Sequence, residues 1–339
     1  MAGNESKYPF IVTRTPFRIS LAGGGTDLEA YYKYHSFGAV LSFAIDKFVY
    51  VTLKRHGEIF NEFIRLNYSE VELVQDTDDI KNDIARGCLQ HFGINKPSYV
   101  STISDIPAAS GLGSSSSFAV GFLNALHLAH GRTCPTGQLA EEACFVEIEK
   151  LRKPIGKQDA YPAAFGGMNF VRFEDSGHAT VQPITPKDGD WSNFSSHLML
   201  FWTGITRESS TILAEQSDNS RNSDTAAKLT AMREHAVLLS THMQGQINPA
   251  YVGEILRDGW ELKQQLSSGV TSGPIDHAYA RAMAAGALGG KLCGAGGGGF
   301  LLFVVPSDRR QAVRNALQEL RTLDINVENA GSRVLYPVI

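Results

Sequence analysis

A run of glycine and serine stands directly before an apolar segment near the middle of the sequence. It reads IPAASGLGSSSSFAVGFLNALHLAHG over residues 106–131. Gly111 and Gly113 permit a tight turn and a close approach of the main chain to a ligand. Serines 114–117 would add hydroxyls and free N–H groups at a helix start, where the partial positive charge favours phosphate oxygens. Simple capping needs only one serine, so the run predicts an anion site.

Two common phosphate-binding motifs do not fit this stretch. A P-loop requires a lysine, and residues 111–117 contain none. The dinucleotide-binding fingerprint requires a third glycine, and Ser116 stands in its place. The chemistry therefore has to be argued from the glycines, the serines and the helix that follows them.

Two further stretches place several glycines between apolar segments. The first, RTPFRISLAGGGTDL at residues 14–28, predicts a turn whose main chain can lie against a ligand. From spacing alone, Asp27 is expected to cap the next helix, and Arg18 is equally compatible with a surface position. The second, KLCGAGGGGFLLFVV at residues 291–305, could be a linker. Its apolar flanks instead favour a buried turn.

The elements that must position these stretches alternate without a regular βαβ rhythm, which predicts an α+β fold. Strands are predicted at residues 10–21, 39–55, 64–74, 98–104, 168–173, 196–203, 300–305 and 326–338. Helices are predicted after the serine run and at residues 27–35, 79–92, 136–153, 207–216, 223–246, 249–268, 274–287 and 307–320. Thr136 is the expected cap of its helix. A cluster of Pro, Lys, Asp and Gly predicts two domains, 8–185 and 190–339.

Composition excludes several classes of partner. The 339 residues carry a formal net charge of -4 with 43% hydrophobic and 19% charged residues, as in soluble globular proteins. The sequence has no excess of basic residues that would indicate binding to nucleic acid or to an anionic membrane. The longest apolar runs are too short to span a bilayer. The four cysteines form no C-x-x-C pair, which favours free thiols and a cytoplasmic location. Base rates favour a homodimer.

Taken together, the three glycine-rich stretches resemble the motifs of the GHMP small-molecule kinases, such as galactokinase and mevalonate kinase. The first motif is similar to TPFRISLAGGGTD, and the third to residues 291–300. The second, Pro-x-x-x-Gly-Leu-Gly-Ser-Ser, is matched by Pro107, Gly111, Leu112, Gly113, Ser114 and Ser115. The resemblance covers essentially the whole chain. It implies a ribosomal-protein-like N-terminal domain, a ferredoxin-like C-terminal domain, and ATP with Mg²⁺ in the cleft between them.

The resemblance also implies catalytic residues. Serines up to Ser117 would surround the ATP phosphates. The segment PIGKQDAYPAAFGG is similar to a Pro-x-Gly-x-x-Asp segment of galactokinases, whose aspartate is the proposed base, and here Asp159 matches it. Arg18 matches the basic residue that lies next to that aspartate in the family. A carboxylate there would accept the proton of the acceptor hydroxyl, and the arginine would stabilise the transferring charge.

A magnesium ligand is expected on the helix predicted at residues 136–153. Glu149 has Arg152 and Lys153 three and four residues later, which indicates a solvated surface pair. Glu147 has apolar helical neighbours, and a carboxylate on a buried flank usually serves a purpose. Its separation from Asp159 resembles that between the family's metal-binding glutamate and base. We therefore expect Glu147 to bind the metal, with a hydroxyl from Ser116 or Ser117.

The acceptor is predicted from departures within the family. Galactokinases carry a Glu-His pair where this chain has Gly24 and Gly25, which argues against galactose. The Gly-Gly-Gly-Thr-Asp form resembles D-glycero-D-manno-heptose 7-phosphate kinases, which phosphorylate the anomeric hydroxyl on the route to nucleotide-activated heptose for capsule or lipopolysaccharide. The substrate-binding residues that this resemblance implies are Gly23, Gly24, Gly25, Thr26, Asp27, Gly296 and Gly297, with Arg14, Lys157 and Arg207 for the 7-phosphate.

Other functions remain open at this stage. A surface position suits Arg207 as well as a phosphate contact does. A kinase of L-fucose or of free heptose could share the first motif, and some GHMP-fold proteins are ligand sensors without turnover. Retention of Asp159, Arg18 and Glu147 argues against a sensor, because binding alone needs no base at the acceptor hydroxyl.

Overall fold

The computed structural model describes residues 9–57, 59–94, 97–187, 189–206, 210–220 and 222–338. The strands are β1 Phe10–Ala22, β2 Phe37–Arg55, β3 Ile64–Asn67, β4 Val71–Val74, β5 Ser98–Ser104, β6 Met168–Glu174, β7 Ala179–Ile184, β8 Leu198–Trp202, β9 Gly289–Leu292, β10 Phe300–Val304, β11 Arg321–Leu323 and β12 Arg333–Val338. The helices are α1 Glu29–Tyr32, α2 Asp83–Phe92, α3 Ser114–Ala129, α4 Thr136–Cys144, α5 Ala160–Phe165, α6 Asp190–Ser195, α7 Ser210–Asn219, α8 Ser223–His242, α9 Pro249–Lys263, α10 Gly273–Ala284 and α11 Arg310–Ala316. A 3₁₀ turn spans Thr77–Asp79, and a π-helical turn spans Phe145–Lys150.

The strands of the described residues form two sheets. The larger has the order β12-β1-β2-β5-β3-β4, and β6 and β7 extend it from the first half of β2. The smaller is antiparallel with the order β11-β8-β10-β9. The predicted α+β class is confirmed. The predicted division at residues 185–190 falls between β7 and α6 and stays a prediction, and β12 returns to the larger sheet beside β1.

Two hydrophobic clusters hold these layers together. One encloses α3, whose Val120, Phe122 and Leu126 are fully buried between the larger sheet and α4. The other joins the two sheets, because it contains side chains of β1, β2 and β10 together with Leu239 of α8 and Leu256 of α9. Burying such side chains removes apolar surface from water and fixes the cleft between the sheets.

Helix α9 and strand β9 meet at two glycines. A Cβ atom on Gly289 would lie 1.8 Å from the carbonyl oxygen of Gly253. Position 289 therefore accepts no side chain unless the helix and the strand move apart. A second contact, from Lys263 to the carbonyl oxygen of Gly294 just after β9, holds the end of the helix beside that strand. It therefore places Lys263 and Lys291 on the same side of the cleft.

Several predicted elements differ from those observed. Residues 64–74 form a hairpin of two strands, because residues 68–70 turn the chain. Thr136 does not cap its helix, since Pro135 occupies the cap position, and a π-helical turn follows Cys144. The helix predicted at residues 27–35 is only four residues long, and its cap position is Leu28 rather than Asp27. The unpredicted elements are α5, α6, β7, β9 and β11.

No helix in the described part of the chain combines the length and the apolar character that a membrane crossing needs. The four cysteines are free thiols.

Candidate active site

The three glycine-rich stretches line one cavity. Its volume is about 1060 Å³, and it lies between the larger sheet, the start of α3 and the smaller sheet. The predicted site residues that line it are Arg18, Gly24, Gly25, Asp27, Pro107, Gly111, Gly113, Ser114, Ser115, Asp159 and Gly296. A space of this size can hold a nucleotide and a second small molecule together.

The loop before α3 turns at left-handed residues. Ala109, Gly111 and Gly113 have φ values of 56°, 81° and 80°. A Cβ on Gly111 would lie 2.5 Å from the carbonyl oxygen of Cys293, so this loop requires glycine where it meets the third motif. Helix α3 begins after Gly113 without a side-chain cap. Its first N–H groups therefore face the cavity as the anion-binding end of a 16-residue helix.

The four serines at the start of α3 point in two directions, two toward the cavity and two into the protein. Ser114 and Ser115 line the cavity. Ser116 is buried and donates its hydroxyl to Oε2 of Glu147 at 2.6 Å, while Ser117 donates to the carbonyl oxygen of Pro16 at 2.9 Å. Leu112 is buried in the core, and its carbonyl accepts the Arg18 amide. The expected phosphate contacts of Leu112, Ser116 and Ser117 through their side chains are thus replaced by packing and internal hydrogen bonds.

Arg18 connects the phosphate-binding loop to the expected base. Its Nε lies 2.7 Å and its Nη2 2.6 Å from Oδ1 of Asp159. Its Nη1 donates to the carbonyl oxygen of Gly111 at 2.8 Å. The arginine is 3% exposed, whereas the Asp159 side chain is 25% exposed and reaches the cavity. The carboxylate is consequently fixed in direction while one face remains open to an acceptor.

Asp27 is held by the segment that leads to Asp159. Its carboxylate accepts hydrogen bonds from the amides of Gly25 and Gln158 and from the Gln158 side chain, at 2.9–3.1 Å. Burial raises the pKa of Asp27, and the nearby Asp159 charge adds to the effect. A Cβ on Gly156 would lie 1.9 Å from Oδ2 of Asp27. Glycine at 156 is therefore required by Asp27, which does not act as the expected helix cap.

Glu147 lies in the π-helical turn that follows α4. The side chain is 1% exposed, and burial raises its pKa. Oε2 accepts the Ser116 hydroxyl, while Oε1 is buried without a hydrogen-bond partner among the described residues. A π-helical turn inside an α-helix often marks a functional site. Glu149 instead forms an exposed ion pair with Arg152 at 3.5 Å, as its spacing predicts.

Several predicted substrate contacts do not line the cavity. Gly23 packs against the main chain of Ala39, and the Thr26 hydroxyl donates to the carbonyl oxygens of Gly23 and Ala39 at 2.7 and 3.0 Å. Gly297 donates its amide to Val270. Gly23, Thr26 and Gly297 thus fix the conformation of their loops, while the adjacent residues Gly24, Gly25 and Gly296 line the cavity.

The cations expected to hold a 7-phosphate are also placed elsewhere. Arg14 pairs with Glu328 at 3.0 Å and stacks on Phe48. Lys157 donates to the carbonyl oxygen of Gly177 at 2.7 Å and faces Glu141. Neither side chain lines the cavity, so we correct both expectations. Arg207 lies outside the described residues.

Sequence reasoning missed several polar groups that line the cavity, among them Gln158, Lys263 and Lys291. Gln158 fixes Asp27, and Lys263 and Lys291 are cations of the smaller sheet and its helix. Lys291 could have been predicted from the sequence, because a lysine in an apolar strand directly before a glycine-rich turn indicates a functional position. Lys263 could not have been predicted in this way, since a lysine near the end of an amphipathic helix is usually exposed.

The comparisons with known proteins agree with this geometry. The N-terminal domain family of the GHMP kinases matches residues 80–167, and their C-terminal domain family matches residues 245–321. A D-glycero-alpha-D-manno-heptose 7-phosphate kinase from Campylobacter jejuni is 31% identical over 91% of this chain and 93% of its own length. The chain belongs to the GHMP kinases.

Two solved structures share the two-domain fold of this GHMP kinase. A putative sugar kinase from Campylobacter jejuni superimposes with a TM-score of 0.75 at 25% identity, covering 98% of this chain and 99% of the other. A D-glycero-D-manno-heptose 1-phosphate kinase from Bacteriodes thetaiotaomicron superimposes with a TM-score of 0.78 at 23% identity, covering 97% and 100%. The GHMP kinase fold is thus confirmed along nearly the whole chain.

Proposed function

We propose that this GHMP kinase transfers the γ-phosphate of ATP to the anomeric C1 hydroxyl of D-glycero-D-manno-heptose 7-phosphate. The product would be the 1,7-bisphosphate used in activated-heptose synthesis for capsule or lipopolysaccharide. The 31% identity with a heptose 7-phosphate kinase supports this choice of acceptor. The observation that carries the chemistry is Arg18, which contacts both Asp159 and the loop before α3.

The residues around Arg18 suit phosphoryl transfer. The N-terminal end of α3 and the hydroxyls of Ser114 and Ser115 would bind phosphate oxygens. Asp159 would accept the proton of the acceptor hydroxyl, because its carboxylate reaches the cavity next to that loop. Arg18 would hold the carboxylate in place and stabilise the transferring charge. Holding the two reactants in one cavity supplies much of the rate enhancement in this kind of reaction.

Glu147 and Ser116 suit a magnesium ion. The unpartnered Oε1 of Glu147 is a hard oxygen donor, which is the type of ligand that Mg²⁺ prefers. Bound there, the ion would neutralise charge on the ATP phosphates. The Ser116 hydrogen bond would orient the carboxylate toward the start of α3.

The substrate side of the cavity would hold the sugar. Gly24, Gly25 and Gly296 line this side, and Ser20 contributes a hydroxyl that is buried without a partner among the described residues. Asp27 and Gln158 would accept and donate hydrogen bonds to sugar hydroxyls. Such paired donors and acceptors discriminate strongly against analogues that lack a hydroxyl.

The test is ADP release from Mg-ATP with a panel of acceptors. The panel contains galactose, L-fucose, mannose, mannose 6-phosphate, free heptose and heptose 7-phosphate, and the Asp159→Asn enzyme is the blank. Turnover with heptose 7-phosphate at a kcat/KM at least tenfold above every other acceptor is expected. A clear preference for L-fucose or another sugar would overturn the acceptor. ATP binding without turnover on any acceptor would favour the ligand-sensor alternative.

A further inference from the structure

Two lysines that line the cavity are almost fully buried. Lys263 ends α9 and Lys291 lies in β9, and each is 8% exposed. Lys263 donates to the carbonyl oxygen of Gly294. Lys291 donates to the carbonyl oxygens of Ser20 and Leu21 at 2.9 and 3.3 Å. Buried lysines are rare without a charged partner, so this pair requires an explanation.

Two other cations that line the cavity are paired with carboxylates. Arg18 pairs with Asp159, and Lys153 pairs with Asp83 at 3.1 Å. Within the described ranges, neither Lys263 nor Lys291 forms an ion pair with a carboxylate. An ammonium group has three N–H donors, and the carbonyl contacts of Lys263 and Lys291 leave some of them unused. Lys263 and Lys291 therefore contribute amino groups to the cavity lining that lack a carboxylate partner in the described part of the chain.

The position of Lys291 favours the acceptor over the nucleotide, whereas Lys263 contacts Gly294, which packs against Gly111 of the loop before α3. Lys291 contacts Ser20 and Leu21, which lead directly into the loop of Gly24, Gly25 and Asp27. The phosphate-binding end of the cavity has its own donors at the start of α3. Lys153, which pairs with Asp83, is a further cation near that end and belongs to neither α9 nor β9.

We propose that Lys263 and Lys291 form a binding site for the phosphate monoester of the acceptor. The proposal rests on the proposed function and assigns its phosphate specificity to the last residue of α9 and to the first residue of the third glycine-rich stretch. The pair replaces Arg14 and Lys157, which point away from the cavity. Ammonium groups bind phosphate as point charges with several donors, and a dianionic phosphate would balance the charge of both.

The electrostatic state of the pair supports this assignment. Burial, together with the charges of Lys291 and Arg18, lowers the pKa of Lys263 to about 7. Burial lowers the pKa of Lys291 to about 8, with Arg18 adding to the effect. Cys293 and Asp159 act in the opposite direction on Lys263. A bound phosphate would supply the missing negative charge and restore the protonated form of both lysines.

The test compares acceptors that differ only in their phosphate. Equilibrium binding of heptose 7-phosphate and of free heptose is measured by calorimetry on enzyme saturated with AMP-PNP, so that no turnover is needed. Lys263→Met and Lys291→Met should each weaken binding of the phosphorylated acceptor by roughly 10- to 100-fold, because a charge-assisted hydrogen bond is lost. Binding of free heptose and of AMP-PNP should change by less than about threefold.

Lys153→Met is the matched control. It removes a cavity cation at the nucleotide end, and it should leave the ratio of the two acceptor affinities unchanged. Thermal unfolding of each variant verifies folding, and Lys263→Arg covers the case in which a methionine variant fails to fold. The arginine variant keeps the charge and should retain a preference for heptose 7-phosphate above that of free heptose.

Two results would overturn the proposal. Equal weakening of both acceptors would mean that the lysines support the sugar loop rather than a phosphate. Weaker AMP-PNP binding with an unchanged acceptor ratio would assign them to the γ-phosphate. If the wild-type enzyme instead prefers another phosphorylated sugar, such as mannose 6-phosphate, the proposed acceptor fails while the lysine variants still test the phosphate site on that sugar.

Discussion

Arg18 shows how one side chain can couple two parts of a catalytic site. It holds the carboxylate of Asp159 and the carbonyl oxygen of Gly111 at the same time. A planar guanidinium can do so because its donors are fixed in a fork, whereas a lysine would reach only one partner well. The family resemblance predicted the contact with Asp159 from types and order alone. It did not predict the contact with Gly111, which depends on the left-handed turn of the loop.

Asp159→Asn should remove the proton acceptor while keeping the side-chain size. We expect kcat to fall by about 10²- to 10⁴-fold, the usual contribution of general base catalysis. ATP affinity should change little, since Asp159 does not form the phosphate-binding loop. Steady-state kinetics and calorimetry measure the two effects. Joint loss of ATP binding and turnover would show that Asp159 organises the nucleotide site instead.

Glu147→Gln should raise the Mg²⁺ concentration needed for half-maximal activity by at least tenfold. The amide is a weaker ligand for a hard cation than the carboxylate. Glu149→Gln is the control, because Glu149 forms only an exposed pair with Arg152. Activity is titrated with Mg²⁺ at saturating ATP. Similar Mg²⁺ curves for the two variants would contradict the assignment of Glu147.

Lys263→Met should stabilise the protein when no ligand is bound. The folded-state pKa of Lys263, about 7, lies below the ordinary lysine value. Below about pH 7 the folded chain must carry a buried charge, and this cost is relieved as the pH rises toward the unfolded-state value. The melting temperature of the variant should therefore exceed that of the wild type by more at pH 6 than at pH 9. An equal gain at both pH values would indicate that Lys263 stays protonated in the folded chain over this range, so that its pKa is not lowered.

At the level of elements, the second and third motifs touch through glycine. A Cβ on Gly294 would lie 2.5 Å from the Cα of Gly111, and a Cβ on Gly299 would lie 2.3 Å from the carbonyl oxygen of Ser110. The sequence could predict two glycine-rich turns next to apolar segments. It could not predict that the two turns pack against each other and that each therefore requires glycine in the other. The contact joins residues that are far apart in the chain.

Gly294→Ala should disturb the phosphate-binding loop from the opposite side of the cavity. Gly294 has a φ of 73°, so an alanine would be strained there in addition to the clash with Gly111. We expect ATP affinity to fall by at least tenfold. Gly273→Ala is the control, because a Cβ there meets no atom within 4 Å. If the ATP affinity of Gly294→Ala equals that of Gly273→Ala, the phosphate-binding loop can shift to accept the added methyl group without losing ATP binding.

The π-helical turn is a second element that pattern reasoning could not supply. The sequence predicted one helix over residues 136–153, and apolar spacing correctly placed Glu147 on the buried flank. Helical periodicity does not distinguish a regular turn from a wider one. The hydrogen bond to Ser116 therefore became visible only in the structure.

At the level of the whole molecule, the last segment of the chain completes the first sheet. Strand β12 pairs with β1, and the Ser332 hydroxyl contacts Thr15 at 2.8 Å and Asn124 at 3.1 Å. Glu328 pairs with Arg14 beside the same sheet. The sequence predicted a strand at residues 326–338 and two domains in series. It gave no indication that the final strand crosses back, because pairing partners leave no local pattern.

Removal of residues 324–339 should therefore damage the nucleotide end of the cavity, although the segment does not line it. The truncation exposes the edge of β1, which carries Arg18. We expect a large loss of melting temperature together with loss of ATP binding, measured by circular dichroism and calorimetry. Wild-type ATP affinity in the truncated chain would contradict this dependence. The substitution Ser332→Ala, which removes only two hydrogen bonds, should have a far smaller effect.

The return of β12 has a consequence for synthesis on the ribosome. Strand β1 precedes its outer neighbour β12 in synthesis by more than three hundred residues. At the usual rates of elongation this interval lasts on the order of tens of seconds. During that time the edge of β1 carries unpaired main-chain groups, which are a template for association with other chains. The nascent protein is thus most exposed to aggregation while it is still being made, and a chaperone that covers this edge would act before the chain is released.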